Sequence, residues 1–191
     1  EAVQAILHDR IFLRFLAASI LAGFVYVQSQ TTFALHVRTS GFSNAIYGAL
    51  ISLNGLMVIL LELAVTSVTQ RLRPRRVIAS GMLFVGAGFG LTAFAYTLPA
   101  LALTVVVWTL GEILSSPVGA AYVADIAPPH LRGRYQGTWG LSWGLAAILA
   151  PVVGTRVYAW NPSGFWLLCA GLGVLAAGLV SIGREPVRPA A

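Results

Sequence analysis

Long apolar runs separated by short charged or turn-forming loops dominate this chain, and they mark out six elements. The runs lie at about 11–36, 45–69, 77–97, 100–124, 137–160 and 164–183. Each reaches the ~20 residues that an α-helix needs to cross a ~30 Å hydrocarbon core. None carries the continuous polar face of a helix at the surface of a water-soluble domain. The pattern therefore predicts an all-α, polytopic membrane protein, a single six-helix transmembrane bundle over residues 1–191. Between the runs stand Arg71-Leu-Arg-Pro-Arg-Arg76, the stretch Asp125 to Gly137, and the turn Asn161-Pro-Ser-Gly164.

Composition agrees with the pattern. Hydrophobic residues make up 58% of the chain and charged residues 9%, against about 25% charged in an ordinary soluble domain. Twelve arginines and six acids give a formal charge of +6. The arginines sit in short loops and not on one basic face, so the expected partner is the lipid bilayer and not nucleic acid. If the first helix runs outward, ten arginines fall on the inner side, leaving only Arg38 and Arg156 outside. That asymmetry predicts a multi-pass protein of the cytoplasmic membrane with both termini inside. Trp160 and Trp166 then flank the last outer turn as an aromatic belt. The lone Cys169 excludes a disulfide and a thiolate metal site, and no metal or cofactor is expected. His8, His36 and His130 lie at membrane edges, which leaves no intramembrane histidine to activate a serine and argues against an enzyme. The chain opens at Glu1 without a signal-peptide pattern and is expected to belong to a longer polypeptide.

Against this background the polar residues inside the runs stand out. Glu112 lies in the middle of the fourth run, where an ionisable group costs roughly 2.5–3.5 kcal/mol on insertion scales. Low-dielectric surroundings disfavour the charged form of a carboxylate, which suits proton exchange. A purely structural carboxylate, bonded by Ser115 and Ser116 from the next turn, is the competing reading. Val105, Trp108, Glu112, Ser115, Ser116 and Gly119 share a helical face, and Pro117 is expected to kink it. In the first run Tyr26 and Gln30 share one face, while Gln28 pairs with Thr31 and Thr32 on another. One face would line a cavity and the other would bond a neighbouring helix. The second run aligns Gly48, Ser52, Gly55, Glu62, Thr66 and Thr69, so Glu62 faces protein; Asn54 lies beside that stripe. Glu62 is about 13 Å from Arg71 along the helix, too far for a direct pair.

The remaining runs divide into groove and scaffold. The third is uncharged and glycine-rich and reads as scaffold, as does the sixth. The fifth presents Gly137, Gly140, Gly144, Ala147, Pro151 and Thr155 on one face, a groove for another backbone. Trp139 and Trp143 point elsewhere and are expected to anchor at the inner interface. Asp125 beside Arg132 and Arg134 suits a latch on the cytoplasmic side, and the arginines at 71–76 suit topology and anionic headgroups.

The Asp125-x-x-Pro-x-x-x-Arg132-Gly133 loop, the R-x-R-P-R-R loop and the G-x-x-x-G…A-P-x-x-G fifth run, in this order, resemble the C-terminal half of a major facilitator superfamily transporter. The stretch Tyr26-Val-Gln-Ser-Gln-Thr-Thr, with Gly111-Glu112 and Arg132-Gly-Arg-Tyr-Gln-Gly137, is most similar to bacterial drug:proton antiporters. The loop after the second run departs from the family signature, with Gln70 and Pro74 near the places of its Asp and Gly. The resemblance implies two six-helix lobes that rock about a central site, with the third and sixth helices peripheral. It also implies a partner, either an N-terminal six-helix half of the same chain or a second copy. The function expected is secondary active transport, as proton-coupled export of amphipathic, drug-like or lipophilic compounds. Glu112 and Glu62 are the proton-coupling candidates, and Tyr26, Gln28, Gln30, Asn54, Trp108 and Ser115 the substrate-binding ones. The alternative is a non-transporting scaffold or receptor on the same fold, with Glu112 sealed from solvent.

Overall fold

A computed structural model describes residues 2–182, which form helices joined by short turns. A short helix α1 (Ala2–His8) precedes α2 (Arg10–Val27). Asp9 separates them and caps α2, its carboxylate accepting from the amides of Ile11 and Phe12 at 3.1 and 3.0 Å. Such a cap satisfies donors that the helix itself leaves orphaned. The first span ends in a 3-10 turn at Gln28–Gln30, and α3 (Thr32–Thr39) follows it. Gly41, with φ of +89°, takes the left-handed conformation that turns the chain toward the second span.

The other five spans are α4 (Asn44–Thr69), α5 (Pro74–Leu91), α6 (Leu98–Ile126), a broken fifth span, and α9 (Pro162–Ser181). In the fifth span α7 (Arg132–Leu149) runs into a π-helical segment at Ala150–Gly154 before α8 (Thr155–Trp160). Pro151 cannot donate to the preceding turn, and the wider π turn absorbs the missing bond. Six helical stretches, 10–30, 44–69, 74–94, 98–126, 129–160 and 162–181, are long and apolar enough to cross a membrane. Four match the expected runs to within about three residues; the first ends at 30 and not at 36, at a break the pattern did not show, and the fifth begins at 129 and not at 137.

Packing runs as an arc: α4 lies on α6, α6 on α5, α5 on α9, α9 on α2, and α2 on α7. The middle of the arc is tight because glycines bring backbones together. A Cβ on Gly88 would stand 2.5 Å from the Trp108 amide, and one on Gly86 would stand 2.8 Å from Gly173. The two ends of the arc are open. Only 6% of the apolar window of α4 is buried, against 67% for the third span. Side chains built on Gly48 and Gly55 of α4, or on Gly137, Gly140 and Gly144 of α7, would meet nothing. The small-residue faces of the second and fifth spans thus point out of the bundle.

Buried polar groups tie the bundle together. Gln28 is fully buried; its amide donates to the Phe24 and Ala150 carbonyls and accepts from Thr31 and Thr32. Gly154 leaves room for it, since a Cβ there would come within 2.5 Å of the Gln28 oxygen. Arg75 is also buried and donates to the carbonyls of Val180 and Ile182, closing the end of α9. A loop arginine expected to serve topology is therefore a helix cap between the third and sixth spans. Trp166 is fully buried, so only the exposed Trp160 can act as a belt residue at that turn.

Candidate functional site

Near mid-length on α6, Glu112 joins three spans. Its Oε1 accepts from the Tyr26 hydroxyl of α2 at 2.6 Å, and its Oε2 accepts from the Asn54 amide of α4 at 2.8 Å. Asn54 also donates to Thr109, one turn along α6, at 3.1 Å. Both carboxylate oxygens thus have a donor, which fixes the group between the three spans, and 2.6 Å is short for a hydroxyl donor. Ser115 does not share in this: its hydroxyl donates to the Gly111 carbonyl at 2.7 Å. The competing reading, serine support of Glu112, is not met: Ser115 takes a backbone acceptor one turn back, and Ser116 is exposed and makes no bond to Glu112 among the described residues.

The half-buried Glu112 opens on a cavity of about 200 Å³ inside the bundle. Tyr26 and Phe15 wall it on α2, Ile78, Met82 and Val85 on α5, and Trp139 and Trp143 on α7, with Ser19, Ser115 and Ser116 its only other polar side chains. Tyr26 is held edge-on between Trp108 and Trp143, at 6.0 Å from each. Trp139 donates to the buried Ser19 hydroxyl at 3.1 Å. From Phe15 to Tyr26 the cavity follows α2 for about 16 Å. Among the described residues, Glu112 is the sole charged side chain on its wall. Toward the arginine-rich end Phe12 stacks on Tyr135 at 4.4 Å, and the Tyr135 hydroxyl donates to Asp9 at 3.1 Å.

Several expectations change in this light. Trp108 is 1% exposed, packed flat on Phe89, and does not line the cavity. It shares the Glu112 face, but one turn farther along α6 that face is covered by the crossing of α5 at Gly88. Gln28 is a buried tie between spans and Gln30 is exposed on the 3-10 turn, so neither reaches the cavity. Trp139 and Trp143 are cavity walls and not interfacial anchors, because α7 turns its aromatic face inward and its glycine face outward. The third span, read as scaffold alone, supplies the apolar wall opposite α7. No residue of the second span lines the cavity; α4 enters only through Asn54. Glu62 is half-buried on α4 and has no hydrogen-bond or ionic partner among the described residues. Asp125, Arg132 and Arg134 are exposed and form no ion pair among the described residues. The tie found near that end is Asp9 to Tyr135 instead.

A second polar knot lies at the other end of the bundle. His36 is 1% exposed; its Nε2 donates to the Ala95 carbonyl at 3.0 Å, while its Nδ1 accepts from the Trp166 indole at 3.3 Å and lies 3.0 Å from the Tyr158 hydroxyl. The indole can only donate, so this ring is the neutral Nε2–H tautomer. His36 is a structural node that links α3 to the fifth and sixth spans and to the loop before the fourth.

Comparison with known proteins gives one family. Residues 11–191 match the family described as Major Facilitator Superfamily. The chain is 27% identical to the MFS-type transporter YqjV of Bacillus subtilis, over 81% of this chain and 38% of that protein. It is 28% identical to the MFS-type transporter YdeE of Escherichia coli, over 97% of this chain and 48% of that one. It is 26% identical to the multidrug resistance protein MdtH of Aeromonas hydrophila, over 88% and 44%. The chain spans less than half the length of these curated relatives.

Proposed function

The chain belongs to the major facilitator superfamily, a family of transporters and not enzymes, and from its geometry we propose that it forms the C-terminal six-helix lobe of a proton-coupled exporter of lipophilic organic cations. The observation that carries this reading is Glu112, a carboxylate on the wall of an aromatic cavity that no cationic side chain among the described residues lines. Aromatic faces and one negative charge attract a delocalised cation and give an anion nothing to bind. About 200 Å³ is less than the ~300–1,000 Å³ of a site for a whole drug-sized molecule. The cavity therefore takes the charged end of the substrate, and the rest lies toward the open faces of α4 and α7. The name of the Aeromonas relative, a multidrug resistance protein, fits such a substrate.

In this cycle the charged Glu112 binds the cation while Tyr26 and Asn54 hold the carboxylate oriented. A proton arriving from the other side of the membrane neutralises Glu112, the cation loses its counter-charge, and it leaves. Proton and substrate compete for one group, so the two never ride together and exchange is obligatory. The open faces of α4 and α7 dock on a second six-helix lobe, and rocking between the lobes exposes the site to each side in turn. Glu62, on the open stripe of α4, then faces that second lobe. Both termini lie in the cytoplasm, as the arginine distribution directs. A non-transporting receptor on the same fold would keep Glu112 sealed, and the cavity at its side chain favours transport.

The test uses full-length protein in proteoliposomes with a fluorescent lipophilic cation and an imposed pH gradient. Glu112→Gln is expected to fold, since its amide retains one acceptor and one donor for the Tyr26 and Asn54 pair, and to lose uphill transport. Full gradient-driven transport by this variant would remove Glu112 from the mechanism.

A further inference from the structure

We propose that a cleft at the arginine-rich end of the bundle, separate from the Glu112 cavity, binds the phosphate headgroup of an anionic phospholipid. α4 and α5 each pack on α6, and between them opens a cleft of about 570 Å³. Arg71, Arg73 and Arg76 line it together with the apolar Leu72, Val77 and Leu114. Arg71 and Arg73 belong to the turn between α4 and α5 and Arg76 to the first turn of α5, whereas Leu114 lies twelve residues inside the end of α6 at Ile126. The cleft thus runs from a charged turn into the apolar depth of the bundle.

The four arginines of this loop divide into two kinds. Arg75 is buried and its role is fixed by the carbonyls of α9. Arg71, Arg73 and Arg76 are exposed and make no ion pair among the described residues. The same cleft receives the N-terminus of α5, an 18-residue helix that starts at Pro74 and adds the positive end of its dipole. Guanidinium groups match phosphate oxygens in paired hydrogen bonds. Free phosphate would leave Leu72, Val77 and Leu114 unused, whereas a phospholipid places its phosphate among the arginines and an acyl chain along that wall. Nothing in this site touches Glu112, so the proposal stands apart from the transport mechanism.

The experiment is native mass spectrometry of the full-length protein with phosphatidylglycerol and phosphatidylcholine offered together. The wild type is expected to retain phosphatidylglycerol preferentially. Each arginine contributes about fivefold at an anionic surface, so Arg71→Gln, Arg73→Gln and Arg76→Gln together lower its retention on the order of a hundredfold. Arg38→Gln with Arg156→Gln, at the opposite end of the bundle, leaves retention unchanged, and excess inorganic phosphate does not displace the lipid. The single variants, each about fivefold weaker, serve if the triple variant does not fold. Equal retention of the two lipids overturns the proposal. Retention unaffected by the arginine changes, as for a lipid held elsewhere, overturns it as well, and displacement by phosphate shows a free-anion site in its place.

Discussion

Removing the Tyr26 hydroxyl isolates what holds the Glu112 carboxylate in place. In Tyr26→Phe the ring keeps its edge contacts with Trp108 and Trp143, while the 2.6 Å bond to Oε1 disappears and Asn54 alone still donates. A hydrogen bond to a charged group contributes about 1.5–3 kcal/mol. That bond orients the carboxylate for the cation, so its loss leaves the group free to turn about the Asn54 bond. At about 1.4 kcal/mol per factor of ten, cation affinity falls by about ten- to a hundredfold. The assay is initial-rate efflux of a lipophilic cation from proteoliposomes across a pH series, with substrate affinity measured at each pH. Wild-type affinity on both sides of the transport midpoint, the pH at which efflux is half-maximal, would refute the assignment of Tyr26 as the donor that orients Glu112.

Other predictions follow from the packing. Gly140→Leu places a side chain where a Cβ meets nothing in this bundle, so the fold is not destabilised and gains up to about 1 kcal/mol from losing a helix-interior glycine. Transport falls severely if the open face of α7 docks on a second lobe; full activity would show that the face meets only lipid. His36, in α3 beyond the stretch 10–30, is buried, and burial holds its proton affinity below the ordinary histidine value despite the Ala95 carbonyl that pulls the other way. The unfolded chain therefore takes up this proton first, and stability, full above about pH 6.5, declines as pH falls below it. Unfolding of purified protein followed between about pH 8 and about pH 5 shows the decline, and His36→Gln flattens it; an equal decline in that variant would place the sensitive group elsewhere.

Glu112 was legible in the sequence because a carboxylate inside an apolar run has few tolerable surroundings, and the periodicity that frames the run also gave the six spans. Tyr26 was legible as its neighbour in kind, and Asn54 less so, since it stood beside the polar stripe of its helix and not on it. The assignment of Trp108 failed because helical phase gives the direction of a side chain and not what crosses above it; Gly88 brings α5 over that turn. Trp139 and Trp143 failed for the opposite reason. Small residues mark close packing, but the glycine face of α7 is packed against nothing within this lobe, and its aromatic face turns inward instead. Asp9, His36 and Arg75 were beyond a reading of local pattern. The partners of His36 lie 59 to 130 residues away along the chain, and Arg75 reaches carbonyls more than a hundred residues on. No periodicity encodes such pairs.

Proton release on substrate binding tests the central claim most directly. Full-length protein in a weakly buffered solution, above the transport midpoint and below it, is mixed with a lipophilic cation while the pH is recorded. Where Glu112 is protonated beforehand, the account predicts release of about one proton for each cation bound, and none from Glu112→Gln at any pH. Release of equal size from that variant, or cation binding by the wild type with no proton released at any pH, would contradict it.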